Sequence, residues 1–105
     1  MTDTTGGQLE LLVLAAVDAG ASHGYAVIEA LRARSGGAFD LPEGTVYPAL
    51  HRLEAKDLLA SHWADGSGRR RRVYQLTSSG RRALREGRRD WRAFARAVAS
   101  VVGAP

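Results

Sequence analysis

Apolar residues recur at helical spacing near the start of the chain. Leu9, Leu12, Val13, Ala16 and Val17 share one face and predict a helix over about residues 8–18, stopped at Gly20. Leu11 and Leu14 fall on the opposite side, with Ala15 near Leu11. A helix that is apolar nearly all round is buried on both sides, so this second face requires a partner. Tyr25, Ile28 and Leu31 form the inward stripe of a second helix over about residues 24–34, with Ser22 placed to cap it and Ser35-Gly36-Gly37 to end it. Val46, Leu50 and Leu53 give a third, narrower stripe over about residues 43–56. Its outward face carries Gly44, Pro48, His51, Arg52 and Ala55, flanked by Thr45 and Tyr47. Pro48 removes one backbone donor early in this helix and bends its first turn.

The pattern then changes to that of a hairpin. One strand, residues 58–64, places Leu59 and Trp63 on one face. A second, residues 70–77, carries Val73, Tyr74 and Leu76. Asp65-Gly66-Ser67-Gly68 between them is turn chemistry. A last helix follows over about residues 78–102, with Thr77 at its N-cap. Leu84, Gly87, Trp91, Phe94, Val98 and Val101 alternate steps of three and four, a heptad seam for pairing with a second copy. Gly87 within that seam implies close approach of another backbone, or a flexible point. The fold class expected is mostly α with a minor β component: a winged helix-turn-helix over residues 8–77, a dimerisation helix over 78–105, and a disordered segment over 1–7.

Charge sharpens this picture. Residues 1–65 hold 4 basic and 9 acidic side chains, whereas residues 66–105 hold 11 basic and 2 acidic, so the chain's net +4 conceals a strongly basic second part. Arginine accounts for 14 of the 15 basic residues, and its planar fork suits phosphate and guanine. Arg69, Arg70, Arg71 and Arg72 follow the hairpin tip directly. They either grip DNA beside the third helix, with alternate side chains pointing together, or blunt an exposed sheet edge. On the third helix itself Thr45, His51 and Arg52 are the candidate base or phosphate readers. Tyr47 is either a sugar–phosphate contact or half-buried packing.

Other chemistries find no support. The absence of cysteine removes disulfides and thiolate sites and favours a cytoplasmic location. His23, His51 and His62 lie far apart, without metal-ligand spacing, and no nucleophile triad, phosphate loop or carboxylate pair appears. Neither enzyme activity nor a cofactor is expected, and no apolar run is long enough to span a membrane.

Five segments together resemble the PadR family of transcriptional regulators. They are Leu11-Leu12-Val13-Leu14, His23-Gly24-Tyr25, the run from Gly44 to Glu54, the Gly68-to-Tyr74 wing, and Leu76-Thr77-Ser78-Ser79-Gly80. The short C-terminus resembles the subgroup with a single C-terminal dimerisation helix. The resemblance implies a homodimer on an inverted-repeat operator in double-stranded DNA, acting as a repressor released by a small molecule. It places Gly44, Thr45, Tyr47, His51 and Arg52 on the DNA-reading helix and Arg69 to Arg72 on the wing. It also implies that Trp91, with Leu11 and Ala15, lines a site for a flat aromatic or hydrophobic effector. Read from its spacing alone, Trp91 is rather a plain dimer-core residue, since aromatic residues at helical spacing usually pack in cores. One departure is Pro42, which stands where the family often has a Ser or Asn cap.

The rival reading is a protein-interaction module whose last helix binds a partner helix and whose arginines bind an acidic protein; it predicts no salt-steep DNA binding. RNA binding would call for exposed aromatic residues, of which few besides Tyr47 are expected.

Overall fold

A computed structural model describes residues 4–66 and 68–103. The elements follow in the order α1 (Thr4–Asp18), α2 (Gly24–Arg34), α3 (Glu43–Ala55), β1 (Leu59–Gly66), β2 (Arg69–Leu76) and α4 (Ser78–Val102). This is the mostly helical winged-helix arrangement that the hydrophobic pattern predicts. The apolar stripes of α1, α2 and α3 converge on one core, in which Val13, Val27, Val46, Leu50 and Leu53 are fully buried. Burying side chains of this kind contributes about 1.5–3 kcal/mol each. Leu59, Tyr74 and Leu76 close the core from the hairpin, and Leu84 closes it from α4.

Caps and turns fix where the elements meet. The Thr77 hydroxyl accepts from the Gly80 N–H at 2.9 Å and donates to the Asp57 carbonyl at 2.7 Å. It thereby caps α4, as the sequence predicts, and also ties that helix to the α3–β1 turn. Gly80 packs against the Leu58 carbonyl so closely that a Cβ there would collide with it. Pro42 stands at the N-cap of α3 with no side-chain hydrogen bond, leaving that helix start uncapped.

Several local expectations are corrected. α1 begins at Thr4, so residues 4–7 of the segment expected to be disordered are helical, while residues 1–3 lie outside the described residues. Once the packed part of a helix is formed, each added residue gains a hydrogen bond without a new nucleus. The cap of α2 is His23, not Ser22: its Nδ1 accepts from the Ala26 N–H at 3.2 Å. The Ser22 carbonyl instead accepts from the Tyr74 N–H at 2.6 Å, tying this turn to the hairpin. Tyr25 is 58% exposed rather than inward, because the buried stripe of α2 is Gly24, Val27 and Leu31, and Gly24 is wedged under the Tyr47 ring. Leu14, expected on the face of α1 that needs a partner, is buried in the chain's own core. β2 and α4 of the same chain cover part of that second side.

The hairpin is longer than predicted. β1 and β2 pair antiparallel from Leu59 opposite Leu76 to Gly66 opposite Arg69, which takes Asp65 and Gly66 into the ladder. Gly68, at the start of the return strand, takes a positive φ of 78°, which glycine adopts without strain. Because the hairpin outruns the helical core, Trp63 emerges 54% exposed although it shares a strand face with Leu59.

Candidate nucleic-acid interface

The outward face of α3 is free of the core, as read from its period: Gly44, Pro48, His51, Arg52 and Ala55 are all exposed. Beside it the hairpin projects as a wing. Glu43 and Tyr47 of α3, His23, Gly24 and Tyr25 at the start of α2, and Trp63, Tyr74 and the four wing arginines line one open cleft. Three separate elements thus present polar and cationic groups to the same side of the fold. Thr45 is half-buried at the margin. Tyr47 is half-buried as well, its ring packed over Gly24.

The four arginines divide by environment. Arg72 is the inner one. Its Nε donates to the Ser61 Oγ at 2.8 Å, and its Nη2 lies 3.5 Å from the Glu54 Oε2. Ser61 in turn donates to the same Glu54 oxygen at 2.5 Å. This network pins the wing to α3. Arg70 and Arg72 place their guanidinium carbons 5.2 Å from the centre of the Trp63 ring, a cation–π arrangement on an indole that stays about half exposed. Arg69, Arg70 and Arg71 are exposed. Tyr74, buried at the base of the cleft, has its hydroxyl pKa held above the usual 10.0 first by burial and then by the Glu54 carboxylate, so it is neutral at physiological pH.

On α3 the charges are partly spoken for. Glu10 of α1 receives the Lys56 ammonium on both carboxylate oxygens at 2.9 Å and lies 3.6 Å from the Arg52 Nε. Arg52 therefore carries a counter-charge on one side while its outer edge remains exposed. Glu10 is a functional neighbour that sequence reading missed; its only signal is an acidic residue set within an otherwise apolar stretch.

His23 is a second residue, one at the entry of α2, whose contact with the wing the sequence did not reveal. Its Nδ1 is the acceptor that caps α2, so the neutral ring carries its proton on Nε2. That nitrogen lies 3.1 Å from the Arg71 Nη1. Both groups are donors in this tautomer, so their contact is not a hydrogen bond. It is a pair of N–H groups converging on the cleft without an acceptor between them.

The seam of α4 splits in two. Leu84 is 2% exposed in the chain's own core, and Gly87 receives the Leu11 side chain, close enough that a Cβ would collide with it at 2.6 Å. These two expected dimer positions are therefore intramolecular: heptad spacing marks an apolar seam but not which partner fills it. Beyond them Trp91, Phe94, Val98 and Val101 are exposed, with Trp91 and Phe94 tilted against each other at 6.0 Å between ring centres. Leu11, taken up by Gly87, and Ala15, in a shallow depression with Leu12, Leu31 and Phe39, are half-buried. His23, His51 and His62 are not brought together, and among the described residues no three potential metal ligands converge. Nor, among those residues, is any helix long and apolar enough to cross a membrane.

Comparison with known proteins gives a consistent answer. A family model described as the transcriptional regulator PadR-like family matches residues 13–86. Transcriptional regulator Rv3488 of Mycobacterium tuberculosis is 54% identical over 55 residues, covering 52% of this chain and 51% of that protein. The match thus spans about half the length of this curated relative. Among solved structures, a PadR family transcription regulator from hypervirulent Clostridium difficile R20291 superposes with a TM-score of 0.74 at 31% identity, covering 90% of this chain and 96% of that one. A PadR family transcriptional regulator from Eggerthella lenta DSM 2243 gives 0.79 at 32% identity, covering 94% and 85%.

The unequal anchoring of the wing arginines has a measurable consequence. Arg72→Ala removes a half-buried hydrogen-bonding strut and lowers stability by about 1 kcal/mol. Arg69→Ala, on the exposed strand end, changes it by less than about 0.5 kcal/mol. Urea unfolding midpoints of the two variants check this, and equal midpoints refute the strut.

Proposed function

The chain belongs to the PadR-like family of transcriptional regulators, and from that premise we propose that it acts in the cytoplasm as a homodimeric, effector-responsive DNA-binding repressor. The observation that carries the reading is the shared cleft: the start of α3 and the arginine-bearing wing face the same side of the fold. A duplex offers a major groove wide enough for α3 and a phosphate backbone beside it for the wing. In this reading Gly44 lets the backbone approach the DNA. Thr45, His51 and the free edge of Arg52 read bases or phosphates, and Tyr47 adds its hydroxyl at the margin.

The wing contacts come from Arg69, Arg70 and Arg71. Arg72 serves chiefly to hold the wing at its angle, being engaged by Ser61 and Glu54. His23 joins the DNA-facing set. Its Nε2–H and the Arg71 guanidinium aim two donors at one point, and a backbone phosphate oxygen is the acceptor that satisfies both.

Two copies pair through the exposed end of the α4 seam: Trp91, Phe94, Val98 and Val101. The described residues leave these side chains exposed. A two-fold pair places two α3 helices on successive faces of the duplex, so the operator is an inverted repeat. A flat hydrophobic or cationic effector enters between the copies beside Trp91, near Leu11 and Ala15, and favours a spacing of the two α3 helices that does not fit the operator.

Selection of bound duplexes from a random pool tests the whole reading. The expected product is an inverted repeat whose half-sites lie about 10–10.5 bp, or a multiple of that, apart. Failure to enrich any duplex at low ionic strength overturns it. His23→Asn, which keeps a capping side chain but deletes the Nε2 donor, leaves stability unchanged and weakens operator binding by about 0.5–1.5 kcal/mol. In a Trp63→Phe background the emission of Trp91 responds to effector-like aromatic compounds; a flat response across a panel of them removes the effector site.

A further inference from the structure

All seven arginines of α4, from Arg81 to Arg96, fall within an arc of about 120° around the helix axis and extend over roughly 22 Å along it. Every one of them is exposed. Arg85, Arg88, Arg89, Arg92 and Arg96 line a continuous open furrow. The helix's two acidic residues, Glu86 and Asp90, lie about 100–140° away from the centre of this arc. The apolar seam lies on the far side as well.

Such a face is unfavourable when left to itself. Arg81 and Arg85, Arg85 and Arg89, Arg88 and Arg92, and Arg92 and Arg96 are each four residues apart. Like charges at this spacing repel. Among the described residues, the only salt bridge made by an arginine of this arc joins Arg88 to Asp18 of α1 at 3.7 Å, with both side chains nearly half exposed.

We infer that this face of α4 is a second DNA-binding surface, which holds the phosphate backbone of a duplex segment outside the operator contact. The arc contains no aromatic and no branched apolar residue; apart from arginine it offers only small ones such as Ser78, Ala99 and Ser100. A protein partner needs an apolar or aromatic anchor at the centre of its interface. Single-stranded nucleic acid needs stacking platforms. A duplex backbone needs neither, because affinity comes from releasing counterions as cations meet phosphates. Phosphates recur every ~3.4 Å along each strand, so the furrow is long enough for several arginines to meet them at once. This surface uses neither α3 nor the wing. It adds a sequence-independent grip, with which a protein seated on its operator draws in a neighbouring stretch of DNA.

The test compares the full chain with Arg85→Gln/Arg89→Gln/Arg92→Gln on a duplex that lacks the operator, by following the binding constant against salt. Glutamine keeps helix propensity and removes repulsion, so the thermal midpoint stays level or rises. The slope of log K against log salt is expected to fall by about two to three, and affinity at low salt by about tenfold or more. The corresponding triple lysine variant retains most of the slope. An unchanged slope in the glutamine variant overturns the inference. So does a lysine variant as weak as the glutamine one, or loss of polyglutamate binding while the DNA slope holds, which assigns the face to an acidic protein. Arg69→Ala/Arg70→Ala serves as the separating control: if it leaves operator binding intact, the wing reading fails and the α4 surface stands.

Discussion

The seat of α4 on the rest of the chain is the contact on which the remaining structure depends. Four features meet within its first three turns. Thr77 bridges the start of the helix to the Asp57 carbonyl, and Gly80 lies against the Leu58 carbonyl. Leu84 closes the core, and Gly87 takes in Leu11. At Gly80 any Cβ would collide with a backbone carbonyl, whereas at Gly87 it would displace the end of the Leu11 side chain. Interiors packed this closely do not deform gradually. The direction in which the exposed end of α4 leaves the body is therefore fixed by contacts made well before Trp91.

The wing shows how one run of identical residues acquires different roles from its surroundings. The register sets Arg72 opposite Trp63 and near Ser61 and Glu54, where its guanidinium has hydrogen-bond partners. Arg69, three residues away at the tip, lies opposite Gly66 and has open space. Arg71, on the other strand face from Arg72, meets the outer nitrogen of His23. Alternation along a strand thus sends neighbouring arginines to structurally unlike places. The Trp63 ring adds stiffness by stacking two of them, which lowers the conformational entropy that each loses on meeting a phosphate.

Much of this was legible in the sequence where the signal is local. Val46, Leu50 and Leu53, the outward face of α3, the Thr77 cap and the turn glycine all follow from spacing and backbone chemistry. What escaped depends on contacts distant in the chain. Tyr25 fits a helical stripe on paper, but the true stripe is set by the Tyr47 ring lying over Gly24. Ser22 is a better capping type than His23, yet its carbonyl is drawn to Tyr74 and the residue next to the helix start at Gly24 supplies the cap. Leu84 and Gly87 continue the α4 seam without a break in spacing. Only the approach of α1 shows that their partner is the same chain.

The two unlike faces of α4 constrain each other. The exposed apolar positions and the arginine arc point about 160° apart around one helix. Had the arginines shared the seam, pairing two copies would have brought like charges into an interface of low dielectric, where repulsion is severe. Set on the opposite side, they leave the seam free for the proposed pairing. The separation also explains why so charged a helix can be stable: its inner turns are held by packing at Leu84 and Gly87, not by charge pairing within the helix. Its outer turns have only the seam. Five of the seven arginines, Arg81, Arg82, Arg85, Arg88 and Arg89, stand on the turns before Trp91, and only Arg92 and Arg96 follow it; like-charge repulsion is thus concentrated where packing already holds the helix, and an anion that neutralises those arginines relieves it there.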